Sequence, residues 1–211
     1  MVYNKRRALP CVFDYTDKGQ AMVDLLELQK HFILSHLREG DTCADFTMGN
    51  GHDTLFLCET VGKSGHVYAF DIQDKALEST RARLEGAGIE PERYSLIHAS
   101  HHLMKDYIDR PLRAGMFNLG YMPGSGNKAL TTMRETTLPA VEAALSLLGE
   151  DAILMIAVYP GHAEGRAEGE EIERYLSSVS RYKMCMAKFC MLNSPDSPYF
   201  MICETKAGKN K

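Results

Sequence analysis

The segment Asp45-Phe46-Thr47-Met48-Gly49-Asn50-Gly51-His52-Asp53-Thr54 decides the fold of this chain. It follows a short apolar run and opens a predicted helix, so an acidic residue ends a strand and a Gly-x-Gly turn follows. This arrangement is typical of Rossmann-like sheets that bind an adenosine-containing cofactor. The next predicted strand closes on Asp71, twenty residues after Gly51. At that distance an acidic side chain can reach the hydroxyl pair of a ribose.

The composition of the loop favours S-adenosylmethionine over a dinucleotide as the cofactor. A dinucleotide site usually has a third glycine where helix and strand pack closely, and Thr54 stands at that position here. Asp53, at the start of the helix, would repel a pyrophosphate. S-adenosylmethionine has no phosphate, and the ammonium of its methionine part is compatible with Asp45 and Asp53. A nicotinamide-dependent reductase is therefore the less favoured alternative.

Strand and helix patterns alternate along the chain until the last two strands, which follow each other directly. This order predicts an α/β fold with an open, mostly parallel sheet and an antiparallel C-terminal edge hairpin. The predicted strands cover residues 42–46, 66–70, 94–98, 116–119, 152–159, 184–192 and 199–205. The predicted helices cover residues 17–37, 53–61, 75–87, 132–148 and 168–180.

The bulk composition is that of a soluble globular protein. The 211 residues are 45% hydrophobic and 25% charged, which fits one domain spanning residues 1–211. No apolar run is long enough to cross a bilayer, and no signal peptide follows the basic N-terminus. Six cysteines without a Cys-x-x-Cys pair indicate a reduced, cytoplasmic protein with no zinc site. The net charge of −4 gives no sign of a wholesale nucleic-acid binder, although basic residues recur locally.

Polar residues follow the predicted strands where a ligand would bind, outside their carboxyl ends. The oxygen of the Asn118 amide, with a backbone carbonyl, could accept hydrogen bonds from an amine and direct its lone pair at a sulfonium methyl. Tyr121 could stack on a base or ring. The alternative is an ordinary strand-to-helix loop, with the proline and glycines of this segment as turn residues.

The histidines suggest two further roles. His98, His101 and His102 follow the third strand, but no carboxylate or cysteine at ligand spacing completes a metal site, so we predict none. One of them is expected to border the adenine or the substrate. His162 lies between two glycines after the fifth strand and could take up a proton at neutral pH. It could equally belong to a loop without a chemical role.

Four motifs together resemble the YtqB/MnmM-type methyltransferases, a family long described as rRNA methylases. The motifs lie at residues 45–54, 67–73, 117–124 and 159–165. The resemblance implies a Rossmann-like class I methyltransferase fold with a seven-stranded sheet and helices on both faces. It also implies methylation of the aminomethyl group on wobble uridine 34 of tRNA, which gives 5-methylaminomethyl(-2-thio)uridine. The segment 1–16 is longer than expected for the family and is predicted to be an N-terminal extension. The Gly-rich turn 124–128 fits the family less closely than the other motifs.

The resemblance and the residue chemistry together assign the cofactor site. The glycine turn would admit the methionine part, with the two neighbouring acids near its ammonium. Asp71 would hold the ribose with Gln73 close by, and the residues after the third strand would border the adenine. The predicted cofactor-binding residues are Asp45, Gly49, Asn50, Gly51, Asp53, Asp71, Gln73, Ser100 and His101.

The predicted catalytic residues are Asn118, Tyr121 and His162. Asn118 would orient the amine, Tyr121 would pack beside the nucleobase, and His162 would accept a proton, with Tyr159 or solvent as alternatives. The expected partner is tRNA at its anticodon region, without a membrane, and a homodimer is one expected assembly. The alternative functions are an rRNA methyltransferase, a small-molecule N- or O-methyltransferase, and a non-catalytic nucleic-acid-binding relative.

Overall fold

The computed structural model describes residues 13–15, 21–120, 132, 134–161 and 163–206. Its strands are β1 (Phe13–Tyr15), β2 (Ala21–Val23), β3 (Thr42–Asp45), β4 (His66–Asp71), β5 (Tyr94–His98), β6 (Leu112–Leu119), β7 (Leu148–Val158), β8 (Met184–Phe189) and β9 (Tyr199–Thr205). Its helices are α1 (Leu25–His36), α2 (His52–Val61), α3 (Asp74–Gly86), α4 (Arg134–Leu147) and α5 (Ala163–Ser178). Short 3-10 helices cover Pro91–Arg93 and His101–Asp106.

Seven of these strands form one sheet in the order β5-β4-β3-β6-β7-β9-β8. The pairs from β5 to β7 are parallel, whereas β9 runs antiparallel to both β7 and β8. The predicted mostly parallel sheet with an antiparallel C-terminal hairpin is therefore confirmed. Chain order reverses between β3 and β6, which lie side by side in the sheet. Ligands of such sheets bind at this switch point, beyond the carboxyl ends of the strands.

Helices cover both faces of the sheet, as predicted. On one face Ile33 of α1, Leu57 of α2 and Leu84 of α3 are buried in one apolar cluster. On the other face Val141 of α4 and Ile172 of α5 are buried in a second cluster. Burying each such side chain contributes about 1.5–3 kcal/mol relative to leaving it exposed. This packing fixes the strand ends that carry the candidate site.

The prediction of a helix over residues 17–37 is wrong at its start. Helix α1 begins at Leu25, and Ala21–Val23 pairs antiparallel with Phe13–Tyr15 as a two-stranded sheet. The Asp24 carboxylate accepts a hydrogen bond from the backbone N–H of Glu27 at 3.1 Å. That contact is an N-cap, which satisfies a free donor of the first turn and marks the helix start. The apolar period of the sequence continues through the strand, and the predicted helix is too long for that reason.

Other boundaries also differ from the prediction. Strand β6 begins at Leu112 and β7 at Leu148, both earlier than predicted, and β8 ends already at Phe189. Helix α5 begins at Ala163, earlier than the predicted residue 168, and Gly165 and Gly169 are buried within it without breaking it. A Cβ at Gly169 would lie 2.2 Å from the Tyr199 hydroxyl, so only glycine permits this close approach.

Within the described residues, no helix is long and apolar enough to cross a membrane. In the same part of the chain, no three His, Cys, Asp or Glu side chains are grouped so that they could hold a metal. The described cysteines are free thiols, of which Cys43, Cys58 and Cys203 are buried.

Candidate active site at the carboxyl ends of β3, β4 and β6

The glycine loop between β3 and α2 requires its glycines. Gly49 and Gly51 have φ values of +48° and +76°, which L side chains rarely adopt. A Cβ on Gly51 would lie 2.8 Å from the Thr80 Cα, so helix α3 closes directly over the turn. The loop is therefore held in one compact conformation at the switch point of the sheet.

Two residues of α3 support this loop, and sequence analysis missed them. The Thr80 hydroxyl donates to the carbonyl of Gly49 at 3.2 Å, and Arg83 Nε donates to the carbonyl of Asn50 at 2.7 Å. Thr80 and Arg83 are three residues apart, so they share one face of the helix. Two polar residues on a helix face next to a predicted loop are the signal that could have identified them.

Asp71 connects the glycine loop to the start of α3. Its two carboxylate oxygens accept hydrogen bonds from the backbone N–H groups of Gly49 at 3.1 Å and Gln73 at 3.0 Å. Burial raises the pKa of this carboxyl, and the backbone hydrogen bonds act in the opposite direction. Ile72, the next residue, leaves 55% of its surface exposed. The structure thus places Asp71, Gly49 and Gln73 together, beside an uncovered apolar side chain.

Asp45 lies beneath the loop and has no exposed surface. One carboxylate oxygen accepts from the Thr54 hydroxyl at 2.6 Å, and the other accepts from the backbone N–H of Thr47 at 3.1 Å. Burial, followed by the charge of Asp53, raises the pKa of the Asp45 carboxyl to about 7. Asp45 therefore ties the loop to the first turn of α2 from below.

The raised pKa makes a specific prediction for stability against pH. Because the pKa in the folded state exceeds the ordinary value of 3.8, the native protein binds a proton more tightly than the unfolded chain. The contribution of Asp45 to the free energy of unfolding should then fall as the pH rises from about 4 to about 7, by up to about 1.4 kcal/mol per pH unit. Asp45→Asn removes this contribution. We expect the free energies of unfolding of the variant and the wild type, measured with urea, to depend differently on pH over that range. Above it, the difference between them should be constant.

The control for this measurement is Asp106→Asn, because Asp106 is exposed. Its unfolding curve should follow the wild type at every pH. A constant difference between Asp45→Asn and the wild type, at every pH from about 4 to about 8, would contradict the assigned proton uptake.

Asn118 lies near the end of β6 next to the loop, and two contacts fix it there. Its backbone N–H donates to the Thr47 hydroxyl at 2.7 Å, and its side-chain Nδ2 donates to Asp53 Oδ2 at 2.6 Å. Burial raises the pKa of the Asp53 carboxyl, while the charge of Lys30 and the bond from Asn118 lower it. The structure thus joins Asn118, a predicted catalytic residue, to Asp53, a predicted cofactor-binding residue, although the sequence analysis assigns them separate roles.

Of the predicted residues after β5, His101 opens the 3-10 helix that follows this strand, and Ser100 directly precedes it. His101 is 8% exposed, and its Nδ1 lies 3.2 Å from the carbonyl of Phe46. Its Nε2 is buried and has no hydrogen-bond partner among the residues that the structure describes. Burial lowers the pKa of this imidazole to about 4, so the ring is neutral at physiological pH. The Ser100 hydroxyl forms a hydrogen bond with Nδ1 of the neighbouring histidine, His102, at 2.8 Å.

Tyr159 follows β7 and is half-buried near the same carboxylates. Burial raises the pKa of its hydroxyl, and the charges of Asp53 and Asp24 raise it further. The phenol therefore keeps its proton at neutral pH. It can donate a hydrogen bond, but it cannot act as a base that takes up a proton. Two predicted catalytic residues, Tyr121 and His162, lie outside the described residues.

A buried carboxylate anchors the chain where it returns from the segment after β6. Glu168 of α5 is 1% exposed and accepts from the hydroxyls of Thr132 at 2.8 Å and Thr137 at 2.6 Å. The backbone N–H of Thr132 donates to the carbonyl of Gly120 at 3.1 Å. The two ends of segment 121–131 are therefore joined directly at the edge of the site.

The strand order and the glycine loop at the switch point define a class I methyltransferase fold. The chain belongs to the rRNA methylase family, whose model, described as "Putative rRNA methylase", matches residues 67–205. A Clostridium thermocellum structure of the same description has a TM-score of 0.83 and 37% identity, covering 88% of this chain and 98% of that one. A Streptococcus mutans protein, whose structure was solved in complex with SAH, has a TM-score of 0.79 and 31% identity. The match covers 87% of this chain and 99% of that one.

A curated relative carries a more specific name. An Arabidopsis thaliana protein named tRNA (mnm(5)s(2)U34)-methyltransferase, chloroplastic, is 40% identical over 171 residues. The match covers 77% of this chain and 62% of that relative. The family predicted from the four motifs is confirmed by these matches.

Proposed function

We propose that this protein transfers a methyl group from S-adenosylmethionine to the aminomethyl group of wobble uridine 34 in tRNA. The name of the Arabidopsis relative supports this substrate, and the SAH complex of the Streptococcus mutans relative supports the cofactor. The observation that carries the proposal is the position of Asn118, whose amide lies at the switch point next to the glycine loop. An amide oxygen there can accept a hydrogen bond from a primary amine.

The residues around the loop fit an adenosine-containing cofactor. Asp71 is partly exposed, and the neighbouring Ile72 presents apolar surface that an adenine ring would cover. Gly49 and Asn50 are also partly exposed, so their backbone can meet the methionine part. Asp45 has no exposed surface, so its part is to hold the loop and not to contact the ammonium.

The chemistry requires little from the protein beyond positioning. S-adenosylmethionine supplies an electrophilic methyl group on a good leaving group. The neutral amine forms the new C–N bond as the C–S bond breaks, and the bond electrons stay on sulfur. Asn118 aligns the amine, and such alignment can supply several kcal/mol of the barrier reduction. The amine must first lose a proton, for which His162 or solvent stays the predicted acceptor because Tyr159 remains protonated.

The direct test is nucleoside mass spectrometry of tRNA that carries 5-aminomethyluridine, after incubation with the protein and S-adenosylmethionine. We expect a gain of one methyl group, about 14 mass units, confined to that nucleoside. The control is the same tRNA with an unmodified wobble uridine, which offers no amine. Unchanged tRNA together with tight binding of SAH would exclude the tRNA assignment and leave the cofactor assignment intact.

The family description favours a second candidate substrate, ribosomal RNA. The same mass-spectrometric assay on ribosomal RNA distinguishes the two candidate substrates, because the methylated nucleoside of ribosomal RNA would differ in mass and position from that of tRNA. Methylation of ribosomal RNA alone would replace the primary proposal. If neither RNA gains a methyl group, a small amine becomes the substrate class to test.

Three further expectations belong to this proposal. They are a single domain over residues 1–211 with an extension at 1–16, a homodimer, and a cytoplasmic location. The Arabidopsis relative is named as chloroplastic, so its location does not transfer to this chain.

A further inference from the structure

The hydrogen bond between Asp53 and Asn118 joins the first turn of α2 to the end of β6. The Nδ2–Oδ2 distance is 2.6 Å, although the two residues are 65 positions apart. Asp53 is partly buried, and Lys30 and Glu27 of α1 are charged neighbours that act on its pKa in opposite directions. A short bond to a charged acceptor in such surroundings is stronger than one between neutral groups.

This bond determines which end of the Asn118 amide faces the crevice. A carboxylate can only accept hydrogen bonds, whereas a primary amide has one donor end and one acceptor end. The Nδ2 end must therefore face Asp53, and Oδ1 must face away from it. The bond from the Asn118 N–H to the Thr47 hydroxyl holds the backbone at the same time. Without Asp53, both orientations of the amide would be available.

We infer that Asp53 is a positioning residue, which holds the carbonyl oxygen of Asn118 toward the methyl acceptor. This inference rests on the proposed function, because an amine needs an acceptor oxygen and would be repelled by an amide N–H₂ group. Asp53 thus acts on the rate of transfer through Asn118. Sequence analysis assigns Asp53 to the ammonium of the cofactor instead, which would make it a binding residue.

A purely structural role is the other alternative. An acidic residue in the first turn of a helix stabilises that helix through its dipole. A structural role predicts lower melting temperatures with an unchanged rate per folded molecule. A cofactor-binding role predicts weaker SAH binding. A positioning role predicts a lower kcat at constant SAH affinity and constant KM for S-adenosylmethionine.

The decisive experiment exchanges the two side chains. Asn118→Asp places two carboxylates in contact, so one must protonate or move away, and we expect kcat to fall about 100-fold. Adding Asp53→Asn restores a donor and an acceptor with their places exchanged. The amide introduced at position 53 can donate to the carboxylate introduced at position 118, whose other oxygen still faces the amine. We expect the double variant to recover to within about tenfold of the wild type. Asp106→Asn is the matched control and should keep full activity.

Each outcome decides between the alternatives. A double variant as slow as Asn118→Asp alone, with melting temperatures near the wild type, would overturn the inference. So would a loss of SAH affinity in Asp53→Asn, measured by calorimetry, that matches its loss of activity. If the wild type itself methylates no tRNA, the proposed function fails first. The orientation is then judged by the side-chain amide resonance of Asn118, which must shift in Asp53→Asn if the bond exists.

Discussion

Replacing Asn118 with alanine is expected to lower kcat by about 100- to 1000-fold while SAH binds as in the wild type. The amide is the group proposed to align the amine, and removing one such positioned partner typically costs this much. Its backbone bond to Thr47 does not depend on the side chain, so the strand end should keep its place. The measurements are single-turnover methyl transfer to tRNA bearing 5-aminomethyluridine and calorimetric titration with SAH.

Two controls belong to this experiment. Asn193→Ala removes an exposed amide outside the site and should leave both measurements unchanged. Asn118→Ala leaves the partly buried Asp53 carboxylate without the amide that donates to it, which costs about 1–3 kcal/mol of stability. Assays should therefore be run well below the melting temperature of the variant. Equal losses in SAH affinity and in turnover would refute the division of roles between Asn118 and the cofactor loop.

Replacing Asp71 with alanine is expected to weaken SAH binding by about 100-fold or more. Two effects contribute to this loss. The ribose would lose the carboxylate proposed to bind its hydroxyls, and hydrogen bonds to charged groups contribute about 1.5–3 kcal/mol each. The backbone N–H groups of Gly49 and Gln73 lose their acceptor as well, so the glycine loop keeps only the bond from the Met48 N–H to the Phe70 carbonyl as a described backbone tie to β4. Calorimetry with SAH measures the sum of both.

Asp71→Asn separates the two effects. Asparagine keeps one acceptor oxygen, so it should retain part of the loop contact and bind SAH more tightly than Asp71→Ala does. Asp106→Ala is the control for removing a carboxylate elsewhere on the protein, and it should bind normally. SAH affinity within about threefold of the wild type in Asp71→Ala would remove Asp71 from the cofactor site.

The sequence predicted the sheet and the position of the site because both depend on local patterns. Apolar runs of strand length, each followed by a turn and a helix, were enough to predict the parallel sheet and its antiparallel edge. The turn at Gly49 and Gly51 and the acidic residue at the end of β4 follow from spacing alone. The boundary of α1 could not be predicted well because the Asp24 cap competes with an apolar period that continues into β2.

The sequence could not predict how the site residues contact one another. Asp45 and Asp53 look equivalent in the sequence, yet one is fully buried under the loop and the other reaches across to Asn118. Which side of a loop a carboxylate occupies depends on the packing of α2 and α3, and no local pattern contains that information. The support of the loop by Arg83 likewise depends on a contact over 33 positions.

The hydrogen bond between Thr132 and Gly120 has an evolutionary consequence. It joins the two ends of segment 121–131 at its base, and Glu168 anchors the returning chain from the other side. Residues inserted into or deleted from this segment would change its length without moving Asn118, because a longer connection between two residues that stay joined costs little chain entropy. Homologues can therefore differ in length between Gly120 and Thr132 while the strand end that carries Asn118 keeps its place.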